Sequence, residues 1–409
     1  MTTDIYMLVS GIEFGAERPF FASRKSNQVR VTDFRVLAHS RLKQLEKLPG
    51  KKEFILIDVL RGEIRVTDSS KDLKGSLQFV SKIFDRADQR KHYHEVYLDG
   101  EVRESVHVPE LSGTPRLIGA ADIYDQIMDI GRKQPGRLKE VSFFGHGFSD
   151  GPVLVNTYKG LRVTGEHEKV KVGNKYVLYP KARTIDLLGH SDLRDGLDKD
   201  LRPEDFDPDL RARRNIGDGP SYGHFARDEL ETFNKAFHPE SLWWVWGCNA
   251  DSALQSILRQ LIAKGMLKKD LAPETVLELR LSGKENIQSF ANTCDTNFKD
   301  FPDITKLKGS QLKFRATVAE CKSMMKIYLQ ETFAFKVLHR ITPRLIAAAP
   351  GTWSTYHPVT KKSAWFPPSQ RPINRLFMKY FNVAEDHENR GYMDYSGLRY
   401  PRITIERIL

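Results

Sequence analysis

Two short apolar runs, each cut off by glycine at its C-terminal end, restrict the fold of this chain more than any other feature. Residues 139–147 read KEVSFFGHG and residues 242–249 read LWWVWGCN. Val141, Phe143 and Phe144 suit a strand buried on both faces, the kind that parallel sheets carry between layers of helices. Gly145 and Gly147 let the chain turn sharply and bring backbone N–H groups close to a ligand. His146 is then delivered at a strand's C-terminal end, where open α/β sheets place their ligands. After the second run, Ala250, Leu254, Ile257, Leu258 and Leu261 recur at helical spacing. Cys248 is thus expected at a helix N-terminus, whose field favours a thiolate and lowers the thiol pKa. An imidazole able to take its proton would complete a cysteine–histidine pair. The two residues are 102 positions apart, so they meet only if their strands lie side by side.

The rest of the chain is read as one α/β architecture, a mainly parallel sheet flanked by helices. Residues 1–50 read as a β-rich N-terminal extension, with strands at 5–10 and over Val29, Val31, Phe34 and Val36, and with a helix beginning at Arg35. Residues 51–156 read as the first part of the core. Phe54 to Leu60 is its first strand, a strand follows at 63–66, Leu77, Val80, Ile83 and Phe84 stand at helical spacing, and a short strand covers 95–98. A helix over 118–130, stopped by Gly131, feeds the His146 strand. Residues 157–240 form an insertion that begins with an alternating, hairpin-like stretch and ends in a helix over 225–238. Residues 241–356 supply the second part of the core: the Cys248 strand, a strand-like 276–281, a helix over 318–338 and a strand over 343–350. Residues 357–409 form a basic C-terminal region, with an edge strand at 403–408.

The pair of motifs SFFGHG and WVWGCN, with the order of elements around them, resembles the caspase-like (clan CD) cysteine peptidases. That group includes caspases, metacaspases, gingipains and self-processing toxin protease domains. The resemblance implies a caspase-like sheet and a cysteine endopeptidase acting on protein or peptide substrates. It makes His146 the general base and acid, Cys248 the nucleophile, and the N–H groups of Gly147 and Cys248 the oxyanion hole. It implies no metal or other cofactor, and it places the substrate pocket at the end of the next core strand, at Thr352, Trp353 and Ser354. Gly247 stands where many members carry Ala, a small-for-small change. The segment 233–249, FNKAFHPESLWWVWGCN, has the flavour of a bacterial effector or toxin, made in the cytoplasm and delivered to a target cell.

Other patterns compete with that reading. Residues 147–151, GFSDG, match the serine-hydrolase elbow with Ser149 as nucleophile, but an elbow needs a strand before it and a helix after it. Here Pro152 and β-branched residues follow. Trp243, Trp244 and Trp246 on a central strand read as core more readily than as a ligand platform. His92 and His94 have metal-ligand spacing but no matching carboxylate or cysteine pattern. Eight acids between 192 and 209 offer hard oxygen ligands for calcium. Arg194, Lys199 and Arg202 interleave with them and the spacing fails an EF-hand loop, which favours a solvated segment. That segment, or the basic run 211–214, is a candidate cleavage site for activation.

The net charge of +11 is concentrated in residues 301–409, which hold 18 Lys/Arg against 8 Asp/Glu. With no aromatic-plus-basic module in sight, a docking surface for an acidic partner is favoured over a nucleic-acid site. A non-catalytic caspase-like binding module using that surface is the remaining alternative. No stretch reaches 18 apolar residues, so no membrane span is expected. The N-terminus lacks a basic region and an apolar core, so no secretory signal is expected. Three cysteines, at 248, 294 and 321, fit a reducing compartment rather than a disulfide scaffold.

Overall fold

A computed structural model describes residues 2–16, 28–58, 63–72, 81–85, 120–148, 151–153, 155–157, 166–172, 175–181, 227–283, 286–287, 290, 311–356 and 364–399. The chain divides into two units. The first is Met1–Gly247 with Arg340–Arg344 and Tyr356–Ala364; the second is Cys248–His339 with Leu345–Thr355 and Trp365–Leu409. The expected segments 95–98, 192–209, 211–214 and 403–408, together with His92, His94, Ser149 and Cys294, lie outside the described residues.

In the first unit, strands β1 (Asp4–Ser10), β2 (Lys52–Asp58), β3 (Glu63–Thr67), β4 (Leu138–Phe144) and β5 (Phe237–Val245) pair in the order β5-β4-β1-β2-β3. Three of the four pairings are parallel, and only β2 with β3 is antiparallel. The sheet is therefore α/β in character, mixed and mostly parallel. Residues 5–10 do not belong to an N-terminal extension. They form the strand between β2 and β4, and Ile5 to Val9 are buried as a central strand requires. Parallel register brings Ser10, Asp58, Phe144 and Val245 to one rim of the sheet.

Alternation along β4 and β5 sorts the helices onto two faces. Glu140, Ser142 and Trp244 share a face, on which helix α1 (Arg35–Leu45) sets the Arg41 guanidinium 5.4 Å from the Trp244 ring. Val141, Phe143 and Trp243 share the other. There Phe233, from helix α3 (Arg227–Lys235), lies 6.2 Å from Trp243, and Tyr124, from helix α2 (Ala120–Lys133), meets Phe233 edge-on at 5.9 Å. Helices thus cover both faces, which is why Val141, Phe143 and Phe144 are all buried although they alternate between the two sides.

Gly131 does not stop α2, which continues to Lys133. Its role is close approach: a Cβ on it would sit 2.0 Å from the Thr232 carbonyl oxygen of α3. Residues 81–85 are also corrected, since Ser81–Asp85 is a strand that pairs with Gln28–Asp33, where the Ile83–Phe84 spacing suggested a helix. Gln28–Asp33 pairs in turn with Ile12–Ala16. The alternating stretch of the insertion forms a hairpin, Glu166–Val172 against Lys175–Lys181.

The second unit begins with helix α4 (Ser252–Ala263), capped by the Asp251 side chain. Strand β6 (Val276–Ser282) pairs antiparallel with β7 (Gln311–Thr317) and buries Leu277, Leu279 and Leu281 on one face. The helix expected over 318–338 is two. Helix α5 (Val318–Gln330) starts in a capping box of Thr317 with Glu320, and helix α6 (Phe333–Leu338) starts afresh because the Thr332 hydroxyl accepts the Phe335 N–H. Strand β8 (Arg344–Ala347), helix α7 (Arg371–Tyr380) and strands β9 (Ala384–Glu385) and β10 (Met393–Asp394) complete it. Strand β10 pairs antiparallel with both β8 and β9.

Candidate catalytic site

His146 stands just beyond the end of β4, half-buried, with the buried Phe34 ring edge-on at 5.5 Å. Residues His146–Phe148 form a short strand that folds back against Gly151–Val153. A strand, not a helix, therefore follows the GFSDG pattern, so its surroundings do not make a nucleophile elbow. Within this small hairpin Gly147 lies opposite Pro152. Proline has no N–H to give, so the two cannot exchange a full pair of ladder bonds.

The amide edge of Gly147 instead meets the end of the neighbouring strand. The Trp246 N–H donates to the Phe143 carbonyl at 2.9 Å, which carries the β4–β5 pairing one residue past the strand. At Gly247 the two segments come into backbone contact. A Cβ added there would lie 2.5 Å from Gly147 N, 2.7 Å from His146 C and 2.8 Å from Gly147 Cα. Real Cβ atoms do not approach backbone so closely, and backbone cannot swing aside as a side chain can. The view that Ala and Gly are interchangeable before the cysteine is therefore corrected for this chain. Gly247→Ala should cost about 1–3 kcal/mol through overpacking, read as a lower urea midpoint. An unchanged midpoint would show that the approach is not required.

A buried polar network holds the ends of β4 and β5. Arg41 Nε and Nη2 donate to the two Glu140 carboxylate oxygens at 2.9 and 2.8 Å. The Ser142 hydroxyl donates to Glu140 Oε1 at 2.5 Å and accepts the Trp246 indole N–H at 3.0 Å. Trp246 also stacks on Phe144 at 5.4 Å and on Trp244 at 4.1 Å, with Arg41 5.5 Å from its ring. The residue two before Cys248 is thus fixed to the residue two before His146 by stacking, and to Ser142 by a hydrogen bond. Sequence reading missed this network. Its one signal was a Glu and a Ser alternating inside an otherwise apolar strand.

Gly247 closes the first unit, and Cys248, bonded to it, opens the second. Cys248 is half-buried, and its sulfur is cradled by Ser354. The Ser354 N–H donates to Sγ at 3.3 Å, the Ser354 hydroxyl lies 3.6 Å from Sγ, and a thiol proton can be given to the Ser354 carbonyl at 3.6 Å. Asn249 and Thr352 exchange backbone hydrogen bonds of 2.9 and 3.1 Å, which fixes Ser354 beside the sulfur. The Thr352 side chain is buried and bonded to the Ala349 carbonyl at 2.5 Å, so it holds this turn together. Trp353 between them is 37% exposed. The segment expected to form the pocket does border Cys248, with Ser354 nearest.

The expected helix field is corrected. Helix α4 starts at Ser252, and Asp251 caps it by accepting the Leu254 N–H at 2.8 Å. A dipole effect fades within a turn of the helix end, and a carboxylate placed there opposes it. The donors at the sulfur come from Ser354 instead. Cys321, by contrast, is buried in α5, and burial pushes its thiol up to about 12.

An open cleft lined by Thr3, Glu46, Lys51, Lys52, Glu53 and Asp68 lies at the opposite, N-terminal rim of the β1–β2 pair. It has no bearing on the two motifs. Among the described residues no group of three or more His, Cys, Asp and Glu side chains is placed to hold a metal ion, and no helix is long and apolar enough to cross a membrane. Comparison with protein-family models, curated proteins and solved structures gives no match to this chain.

Proposed function

We propose that this chain is a cysteine endopeptidase of caspase-like architecture, with His146 and Cys248 as its catalytic pair. The observation that carries the reading is the approach of Gly247 to the His146–Gly147 peptide. It brings the backbone just before Cys248 against the peptide that follows His146, at the C-terminal rim where α/β sheets place their ligands. The parallel pairing of β4 with β5 supports it, as does the hydrogen-bonded cradle around a half-buried sulfur.

In this reading the Cys248 thiolate attacks the scissile carbonyl carbon, forming a C–S bond and an oxyanion. The N–H groups of Gly147 and Cys248 receive that charge, each worth roughly 10²–10³ in rate by analogy with other oxyanion donors. His146, carrying the proton it took from the Cys248 thiol, gives it to the leaving amine as the C–N bond breaks. It then takes a proton from water, whose oxygen attacks the acyl carbon and releases the acid and the sulfur. The substrate is a protein or peptide, this chain itself included. The basic C-terminal quarter supplies a docking surface for an acidic partner, and the setting is that of a delivered effector.

Labelling separates this reading from its rivals. A Cys294→Ser background is treated with iodoacetamide or with a fluorophosphonate, the modified residue is mapped by mass spectrometry, and cleavage of a peptide library is followed. Alkylation at Cys248 that removes cleavage is expected; Cys321 should remain unlabelled at neutral pH. Fluorophosphonate on Ser149 with loss of activity would replace the thiol by the serine. A folded chain that cleaves no peptide would point to a binding module.

A further inference from the structure

We infer that Ser354 and Tyr392 form a donor chain that holds the Cys248 sulfur as a thiolate, so that its reactivity is set within the second unit and not by His146 alone. The inference rests on reading Cys248 as the nucleophile. Tyr392 is fully buried just before β10, and its hydroxyl shares a hydrogen bond with the Ser354 side chain. Burial, the largest influence on this phenol, pushes its pKa far up, so it remains an O–H at any working pH. In the inferred chain this retained O–H is the donor and Ser354 Oγ the acceptor. The Ser354 hydroxyl is then directed at Sγ, 3.6 Å away, beside the Ser354 N–H at 3.3 Å. Two donors converge on one sulfur, and hydrogen bonds in series polarise one another. The opposing state is the neutral thiol, whose proton goes to the Ser354 carbonyl at 3.6 Å.

The position of Tyr392 is fixed more firmly than packing alone needs. Asp386, itself buried, accepts the backbone N–H groups of Glu388, Arg390, Gly391 and Tyr392, winding the loop 386–392 around one carboxylate. The Phe366 ring meets Tyr392 edge-on at 4.6 Å, and a Cβ on Gly391 would lie 2.8 Å from Phe366 Cβ. Charge acts on the Tyr392 hydroxyl from Cys248 and from Asp386 and Arg390 on this loop, and Glu388 is paired to Arg390 at 2.8 Å. Asp386 and Arg390 act on the Tyr392 hydroxyl in opposite senses.

The test is the rate of iodoacetamide alkylation of Cys248 against pH, on the full chain carrying Cys294→Ser. Tyr392→Phe removes one oxygen and Ser354→Ala one hydroxyl. Ser354→Ala should move the inflection of the profile up by about one pH unit, the size expected of a lost hydrogen bond to a charged group, and Tyr392→Phe, which acts on the sulfur only through Ser354, should move it the same way by less. Alkylation of the Ser354→Ala variant at a pH below both inflections then slows about tenfold. Ser354→Thr, which keeps the hydroxyl and the N–H, should restore the wild-type profile, and His146→Ala should leave most of it in place. Profiles of Tyr392→Phe and Ser354→Ala that superimpose on wild type would overturn the inference, as would a full-size shift from His146→Ala alone. A wild-type profile that responds to Tyr392→Phe in a protein that cleaves no peptide would overturn the peptidase reading and leave the donor chain standing.

Discussion

Arg41→Met should lower the stability of the chain by about 3–5 kcal/mol, the cost of leaving a buried carboxylate without its partner. The pair is bidentate, with side chains 6% and 2% exposed, so water cannot replace the missing guanidinium at Glu140. Arg41 also lies over the Trp244 and Trp246 rings, and its loss removes that packing. Glu140→Met should cost a similar amount, since it strands the cation and removes the acceptor of the Ser142 hydroxyl. The double variant Arg41→Met/Glu140→Met should lose less than the two singles together, because methionines of similar bulk need no charge partner. Urea unfolding followed by tryptophan fluorescence reads this directly, as three of the five tryptophans lie at 243, 244 and 246. Single variants within about 1 kcal/mol of wild type, the range of exposed ion pairs, would show that the pair is not desolvated in solution.

That network shows what the sequence could and could not say. Apolar runs announce buried strands, so β2, β4 and β5 were legible as segments, and Gly147 and Gly247 stood out at their ends. Lateral order was not legible: IYMLVS is as apolar as any central strand, but nothing local says that it belongs between 52–58 and 138–144. Arg41 is a further case. On the face of α1 that carries Leu37, Ala38, Leu42 and Leu45, an arginine reads as a solvated residue until the carboxylate 99 positions away is known to face it. Gly131 was read as a helix stop because glycine disfavours helix, whereas it is required by a neighbouring helix backbone. Of the candidate site, His146 and Cys248 were legible from their motifs, and the segment beside Ser354 only through the family resemblance. Phe34 and Tyr392 were not, since each meets its neighbour, His146 or Ser354, across a long stretch of sequence and carries no motif.

Cys248→Ala and His146→Ala should each bring peptide cleavage down by a factor on the order of 10⁵–10⁶, and the double variant should be no slower than either. Residues that act as one unit lose their joint effect once, because a thiolate without its proton carrier and a proton carrier without its thiolate are equally idle. What remains in all three variants is binding and the N–H donors of Gly147 and residue 248, which alanine preserves. The unfolding midpoint should hardly move for Cys248→Ala, since the sulfur is half-buried and the backbone bridge between Asn249 and Thr352 stays intact. His146→Ala also gives up the edge contact with Phe34, so its midpoint should fall by an amount matching about 0.5–1.5 kcal/mol. Steady-state kcat/KM on one cleavable peptide for wild type, both singles and the double closes the cycle. Multiplying effects, with the double slower by the product of the singles, would mean that imidazole and thiol act independently, and the proposed proton exchange between them would fall with that result.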